Sequence, residues 1–95
     1  MTWDEFKTSL QQSSPSSTLS PLLKALWYEG KGDWDAAHNI AQDTNTKEGS
    51  WVHAYLHRVE GDLGNASYWY HRAGKPVSSG NLKDEWESIV QELLK

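Results

Sequence analysis

Two stretches of this chain repeat each other at an offset of 29 residues. Residues 32–37 read GDWDAA, and residues 61–66 read GDLGNA. The apolar positions of 22–27 return in the same way in 51–56. A repeat of this length is one supersecondary unit that cannot bury its apolar face alone. The two copies must therefore pack on each other, and this requirement strongly limits the architecture.

The spacing of apolar residues predicts about six helices, and no segment shows the alternation with period two that a strand requires. Capping residues mark the helix starts, most clearly Asp33 and Asp62 just after the two turn glycines. We therefore predict an all-α chain in which residues 1–95 form a single helical-repeat domain. The two helix-turn-helix repeats span about 19–43 and 47–76, and capping helices span about 2–12 and 81–94.

The small residues around the two turns resemble the tetratricopeptide pattern. In that pattern a small residue lies seven positions before the turn glycine and another lies five positions after it. The residues that match are Ala25, Gly32 and Ala37 in the first repeat and Ala54, Gly61 and Ala66 in the second. The resemblance implies a right-handed stack of two helix-turn-helix repeats with capping helices, although the repeat here is 29 residues and not about 34.

Two longer strings, GDWDAAH at 32–38 and WVHAYLHR at 51–58, also resemble a family of short bacterial and fungal proteins. No activity is assigned to that family, so this resemblance implies the same fold and adds no chemistry.

Composition narrows the classes of function. The formal net charge is −4 with only two arginines, which argues against nucleic acid and against an anionic membrane surface as partners. The chain has no cysteine, which excludes disulfides, thiol catalysis and cysteine-ligated zinc. No apolar stretch reaches transmembrane length, and the first residues lack the order of a signal peptide. We expect a cytoplasmic protein without a cofactor, and the sequence does not indicate an oligomeric state.

Two histidines on the fourth predicted helix, His53 and His57, allow three interpretations. They can provide polar packing in a helix interface, they can line a groove for a ligand, or they can bind a metal ion. Their spacing of four residues puts both rings on one side of a helix, as in a zinc pair. A metalloprotease helix would carry glutamate where Ala54 stands, and a third ligand would have to come from His71 or Glu60.

The two arginines suggest a different site. Arg58 flanks Trp51 and Tyr55 on its helix, and Arg72 follows Tyr68 by four residues, so that ring and guanidinium can stack. Such arginines could hold a carboxylate or phosphate. In the alternative interpretation, each arginine pairs with an acid or stacks on its neighbouring ring.

No catalytic motif stands out, and an enzyme is less expected than a binding protein. The leading hypothesis is a non-enzymatic interaction module that binds a peptide or a small anionic ligand on an aromatic, arginine and histidine face. Its candidate ligand-binding residues are Trp51, Tyr55, Arg58, His53, His57, Tyr68, His71 and Arg72. The alternative is a small enzyme or metal-binding protein that uses the clustered histidines His53, His57 and His71.

Overall fold

A computed structural model describes all residues from 1 to 95. The chain forms six helices and no strand, which confirms the all-α prediction. The helices are α1 (Trp3–Ser9), α2 (Pro21–Gly30), α3 (Trp34–Asp43), α4 (Lys47–Val59), α5 (Leu63–Ala73) and α6 (Leu82–Leu93). The first helix ends three residues before the predicted boundary, and single turns continue the chain to Gln12.

The two predicted turns have nearly the same backbone geometry. Gly32 has φ 89° and Gly61 has φ 85°, in the left-handed region that glycine adopts without strain. The next residue in each turn donates its backbone N–H to an equivalent carbonyl: Asp33 to Tyr28 at 2.8 Å, and Asp62 to His57 at 2.9 Å. The sequence repeat is therefore also a repeat of local structure, which produces the helix pairs α2–α3 and α4–α5.

Side-chain caps explain why the helices start where they do. Asp33 accepts a hydrogen bond from the Ala36 N–H, and Asp62 accepts one from the Asn65 N–H. Each cap satisfies one of the donors that a helix N-terminus otherwise leaves unpaired. Since both aspartates act as caps, their position after the turn glycines has a structural explanation.

The fourth helix lies at the centre of the fold. It contacts α2, α3, α5 and α6, and residues on both its sides are buried. One apolar cluster joins α1, α2, α3, α4 and α6, with Phe6, Leu26, Leu56 and Ile89 fully buried in it. A smaller cluster of Ala54, Ala66 and Tyr70 joins α4 to α5.

The terminal helices close the core through tryptophan. On α6, the Trp86 indole N–H donates to the Leu26 carbonyl at 3.0 Å, and its ring packs on Phe6 of α1. On α2, the Trp27 indole donates to the Ser9 carbonyl at the end of α1, at 3.2 Å. None of the six helices is long and apolar enough to cross a membrane.

Candidate functional site

Three histidines meet between α3 and α4. His38 of α3 and His53 and His57 of α4 each place one ring nitrogen within 4.8 Å of the others. Nε2 of His38 lies 3.0 Å from Nε2 of His53. His53 and His57 are buried, and His38 is half-buried at the edge.

Helical spacing and the packing of α3 on α4 create this cluster. The four-residue step puts His53 and His57 on one side of α4. On α3 the same step joins Trp34 to His38, whose rings stack with centroids 4.7 Å apart and an interplanar angle of 11°. The Trp34 indole donates to the Leu56 carbonyl at 2.7 Å, which fixes α3 against α4 beside the histidines.

A second tryptophan covers the cluster from α5. The Trp69 ring lies parallel to that of His53, with centroids 4.0 Å apart and an interplanar angle of 19°. Two indoles, Trp34 and Trp69, therefore flank the histidines and restrict the rotation of His38 and His53. Restricted side chains of this kind are what a preorganised binding site requires.

Glu60 orients the third ring. Its Oε1 lies 2.6 Å from Nδ1 of His57, and a carboxylate can only accept, so the Nδ1–H of His57 donates. In a neutral ring, this bond leaves Nε2 of His57 as the nitrogen with a free lone pair. A carboxylate behind a histidine is the common second partner of metal-binding histidines.

Electrostatics keeps two of the rings neutral near neutral pH. Burial, together with the neighbouring His38 and His57, lowers the pKa of His53 to about 4. Burial also lowers the pKa of His38, with His57 adding to the effect. A neutral imidazole offers a lone pair that a protonated one lacks, so these rings can bind a cation without first losing a proton.

The structure places His71 elsewhere. His71 lies on the exposed side of α5, and it is not among the residues whose ring nitrogens converge. His38 takes the position that sequence reasoning assigned to His71 in the metal alternative. The missed signal was the Trp34–His38 pair, since both residues lie on the side of α3 that meets α4.

Arg58 has structural partners. Its guanidinium forms an ion pair with Glu85 of α6 at 2.7 Å, and it also donates to the Ser78 hydroxyl and the Gly80 carbonyl. The Tyr70 hydroxyl donates to the second oxygen of Glu85. Both members of the ion pair are about nine-tenths buried. For Arg58 the structure therefore shows the alternative in which the arginine pairs with an acid.

The remaining candidates for ligand binding lie in separate places. Tyr55 is buried and donates to Glu29 at 3.4 Å, while Trp51 lies half-buried under the Lys75 ammonium, 4.3 Å from its ring centroid. On α5, Arg72 lies over two rings and donates to the Tyr68 hydroxyl at 3.0 Å. The eight predicted residues thus do not form one continuous face.

Comparison with protein-family models, with curated proteins and with solved structures finds no match to this chain. The resemblance to the tetratricopeptide pattern stays a prediction from the residues.

Proposed function

We propose that this protein binds one divalent ion of a late first-row transition metal, such as zinc, between His38, His53 and His57. The observation that carries the proposal is the convergence of three ring nitrogens within 4.8 Å. Imidazole is a preferred ligand of zinc, copper and nickel, and three imidazoles with an open fourth position form a known type of zinc site.

The distances are close to those that a shared ion requires. Two nitrogens bound to one tetrahedral zinc, each at about 2.0–2.1 Å, lie about 3.3 Å apart. The His38–His53 separation of 3.0 Å is near this value. The ring of His57 would have to move inward by up to about 1.5 Å, since the three nitrogens span 4.8 Å. Glu60 already holds its Nδ1, so the motion is a small adjustment of a ring with a fixed tautomer.

The same geometry has a purely structural interpretation. One neutral ring can donate an N–H from Nε2 to Nε2 of the other, so the 3.0 Å contact between His38 and His53 can be a hydrogen bond. In that case the cluster serves only to satisfy polar groups in a helix interface. The two interpretations differ in one measurable respect, which is the response of the folded protein to metal.

Calorimetric titration with zinc, together with the visible spectrum of the cobalt(II) complex, tests the proposal. His38→Ala is the informative variant, because His38 is half-buried and its loss leaves the core of α4 intact. His71→Ala is the matched control, since it removes the one histidine outside the cluster. Circular dichroism confirms that both variants are folded.

We expect one equivalent of zinc to bind, a tetrahedral cobalt spectrum, loss of both in His38→Ala and retention of both in His71→Ala. A higher melting temperature with zinc follows, because a ligand that binds only the native state stabilises it. The proposal is wrong if the parent protein binds no zinc, or if His71→Ala loses binding as completely as His38→Ala does.

A second candidate function rests on α5 alone. Arg72 forms no ion pair in the structure, and its guanidinium is held over exposed Tyr68 and half-buried Trp69. We therefore propose that Arg72 binds the carboxylate of an acidic peptide. This is a narrower version of the interaction hypothesis, limited to α5. An acidic peptide should shift the amide resonances of α5 in an NMR titration, and Arg72→Gln should remove the shifts. Equal shifts in Arg72→Gln would contradict this candidate.

A further inference from the structure

A cleft of about 400 Å³ opens on the side of α4 away from the histidines. Its walls come from the ends of α1 and α2 and from the facing sides of α4 and α6. Five of its eight lining residues are apolar, among them Val59, Leu82 and Trp86. At 100° per residue, Tyr55 points away from His53 and His57, so the cleft and the histidine cluster are independent sites on one helix.

Glu29 supplies the only carboxylate in this cleft. The Tyr55 hydroxyl donates to its Oε2 at 3.4 Å, and no lysine or arginine forms an ion pair with it. The ammonium of Lys31, two residues further along the chain, donates to the carbonyls of Leu10 and Gln12. A half-buried carboxylate against apolar walls, without a cationic partner in the chain, is a site where a cationic ligand gains most.

The electrostatic state of Glu29 agrees with this geometry. Burial raises its pKa, while the bond from Tyr55 acts in the opposite direction. A carboxyl group with a perturbed pKa in an apolar cleft is a typical feature of a binding site. A cation near Glu29 would also compensate for the hydration that the carboxylate loses on folding.

Gly30 shapes one wall of the cleft. A Cβ added at Gly30 would lie 3.0 Å from the Trp86 ring and 3.2 Å from a Leu10 methyl group. The absence of a side chain therefore lets the end of α2 approach α6 closely beside Glu29. The wall is built from fixed groups, because the Trp86 indole is itself held by the Leu26 carbonyl at 3.0 Å.

We propose that this cleft binds a small primary amine with an aromatic or aliphatic body, whose ammonium group pairs with Glu29 and whose body packs on Val59, Leu82 and Trp86. The volume lies near the lower end of the range for ligand pockets, which suits a body of one ring. Lys83 lies among the lining residues and disfavours ligands with a second positive charge, such as polyamines.

An NMR titration of the amide and indole resonances with phenethylamine tests this proposal. Two analogues serve as ligand controls: 2-phenylethanol keeps the ring and loses the charge, and 3-phenylpropionate reverses the charge. Glu29→Gln is the test variant, and Glu48→Gln, which removes an exposed carboxylate at the start of α4, is the matched control.

We expect phenethylamine to shift the resonances of Gly30, Val59, Leu82 and the Trp86 indole. We expect 2-phenylethanol to bind about tenfold or more weakly, and Glu29→Gln to weaken the amine by a similar factor, because a charge-assisted hydrogen bond is lost in each case. Glu48→Gln should bind as the parent does.

Three results would overturn the proposal. They are the absence of shifts with phenethylamine, equal binding of the amine by Glu29→Gln and the parent, and tighter binding of 3-phenylpropionate than of phenethylamine. The third result would show that Lys83, and not Glu29, determines the charge of the ligand. None of these outcomes depends on the histidines, so the result is separate from that of the zinc titration.

Discussion

Replacing Arg58 with methionine should destabilise the protein strongly, although Arg58 lies near the C-terminal end of α4. The side chains of Arg58 and Glu85 are 11% and 8% exposed, and the ion pair between them spans 2.7 Å. Removing one member of a buried pair leaves an uncompensated buried charge, which costs about 3–5 kcal/mol. The bonds from Arg58 to Ser78 and the Gly80 carbonyl are lost as well, so the segment between α5 and α6 loses its attachment to α4.

This loss is a large share of the stability that a chain of 95 residues usually has, which is about 5–14 kcal/mol. Urea denaturation followed by circular dichroism measures it directly. At roughly 4–8 °C per kcal/mol for a domain of this size, the melting temperature should fall by at least about 10 °C. A loss below about 1 kcal/mol would show that the pair is solvated, as exposed ion pairs are.

A second variant separates the charge from the packing. Glu85→Gln, added to Arg58→Met, removes the stranded carboxylate and should recover part of the lost stability. The Tyr70 hydroxyl can still donate to the glutamine carbonyl, as it does to Glu85. A double-mutant cycle over the two positions should therefore give a coupling energy above about 1 kcal/mol. Additive effects would contradict the idea that Arg58 acts through Glu85.

Three further predictions follow from burial and backbone geometry. Ala66→Leu should cost about 1–3 kcal/mol in urea denaturation, because Ala66 is 1% exposed between α4 and α5; an unchanged midpoint would contradict this packing. Gly61→Ala should destabilise the protein by about 1–2 kcal/mol, because Gly61 has φ 85°. Gly64→Ala should stabilise it by up to about 1 kcal/mol, because Gly64 lies in α5 and a Cβ there would meet no other atom within 4 Å. The same sign for both changes would contradict this explanation. Glu29→Gln should be more stable than the parent near neutral pH, and the difference should vanish in acid. Burial raises the pKa of Glu29, so the carboxylate lowers the stability of the parent as pH rises from the unfolded-state pKa through the folded-state pKa. A difference in stability that persists when the carboxyl group is protonated would refute this.

The architecture was accessible from the sequence because its determinants are local. The capping aspartates, the turn glycines and the apolar spacing each act within a few residues, and the structure has a helix wherever they predict one. The burial of both sides of α4 could also be expected from the sequence. Trp51, Tyr55 and Val59 form an apolar arc on this helix, while the repeat pattern places Ala54, on another side, at a helix crossing. Both requirements are met when other helices surround the segment, as they surround α4.

The partners of the polar side chains were not accessible in the same way. Arg58 finds Glu85 across 27 residues, and His38 finds His53 across 15. Such pairs depend on the angle and register between packed helices, which no single segment specifies. His71 was grouped with the two histidines of α4 only because it is also a histidine. The packing of α3 on α4 brings His38 to them instead.

The histidine cluster is also hard to explain by packing alone. In the first repeat, Tyr28 occupies the turn position that His57 has in the second, and it donates no side-chain hydrogen bond, so the turn does not require a histidine there. The cluster of two buried histidines and one half-buried one is flanked by two tryptophans and oriented by a glutamate. Natural proteins usually place polar residues in an otherwise apolar helix interface where those residues have a function. If the cluster served stability, replacing its members by apolar residues of similar volume should destabilise the protein, whereas a cluster kept for binding can be replaced with no loss of stability or with a gain. The metal titration then asks what the protein gains from keeping three imidazoles in place of an apolar core.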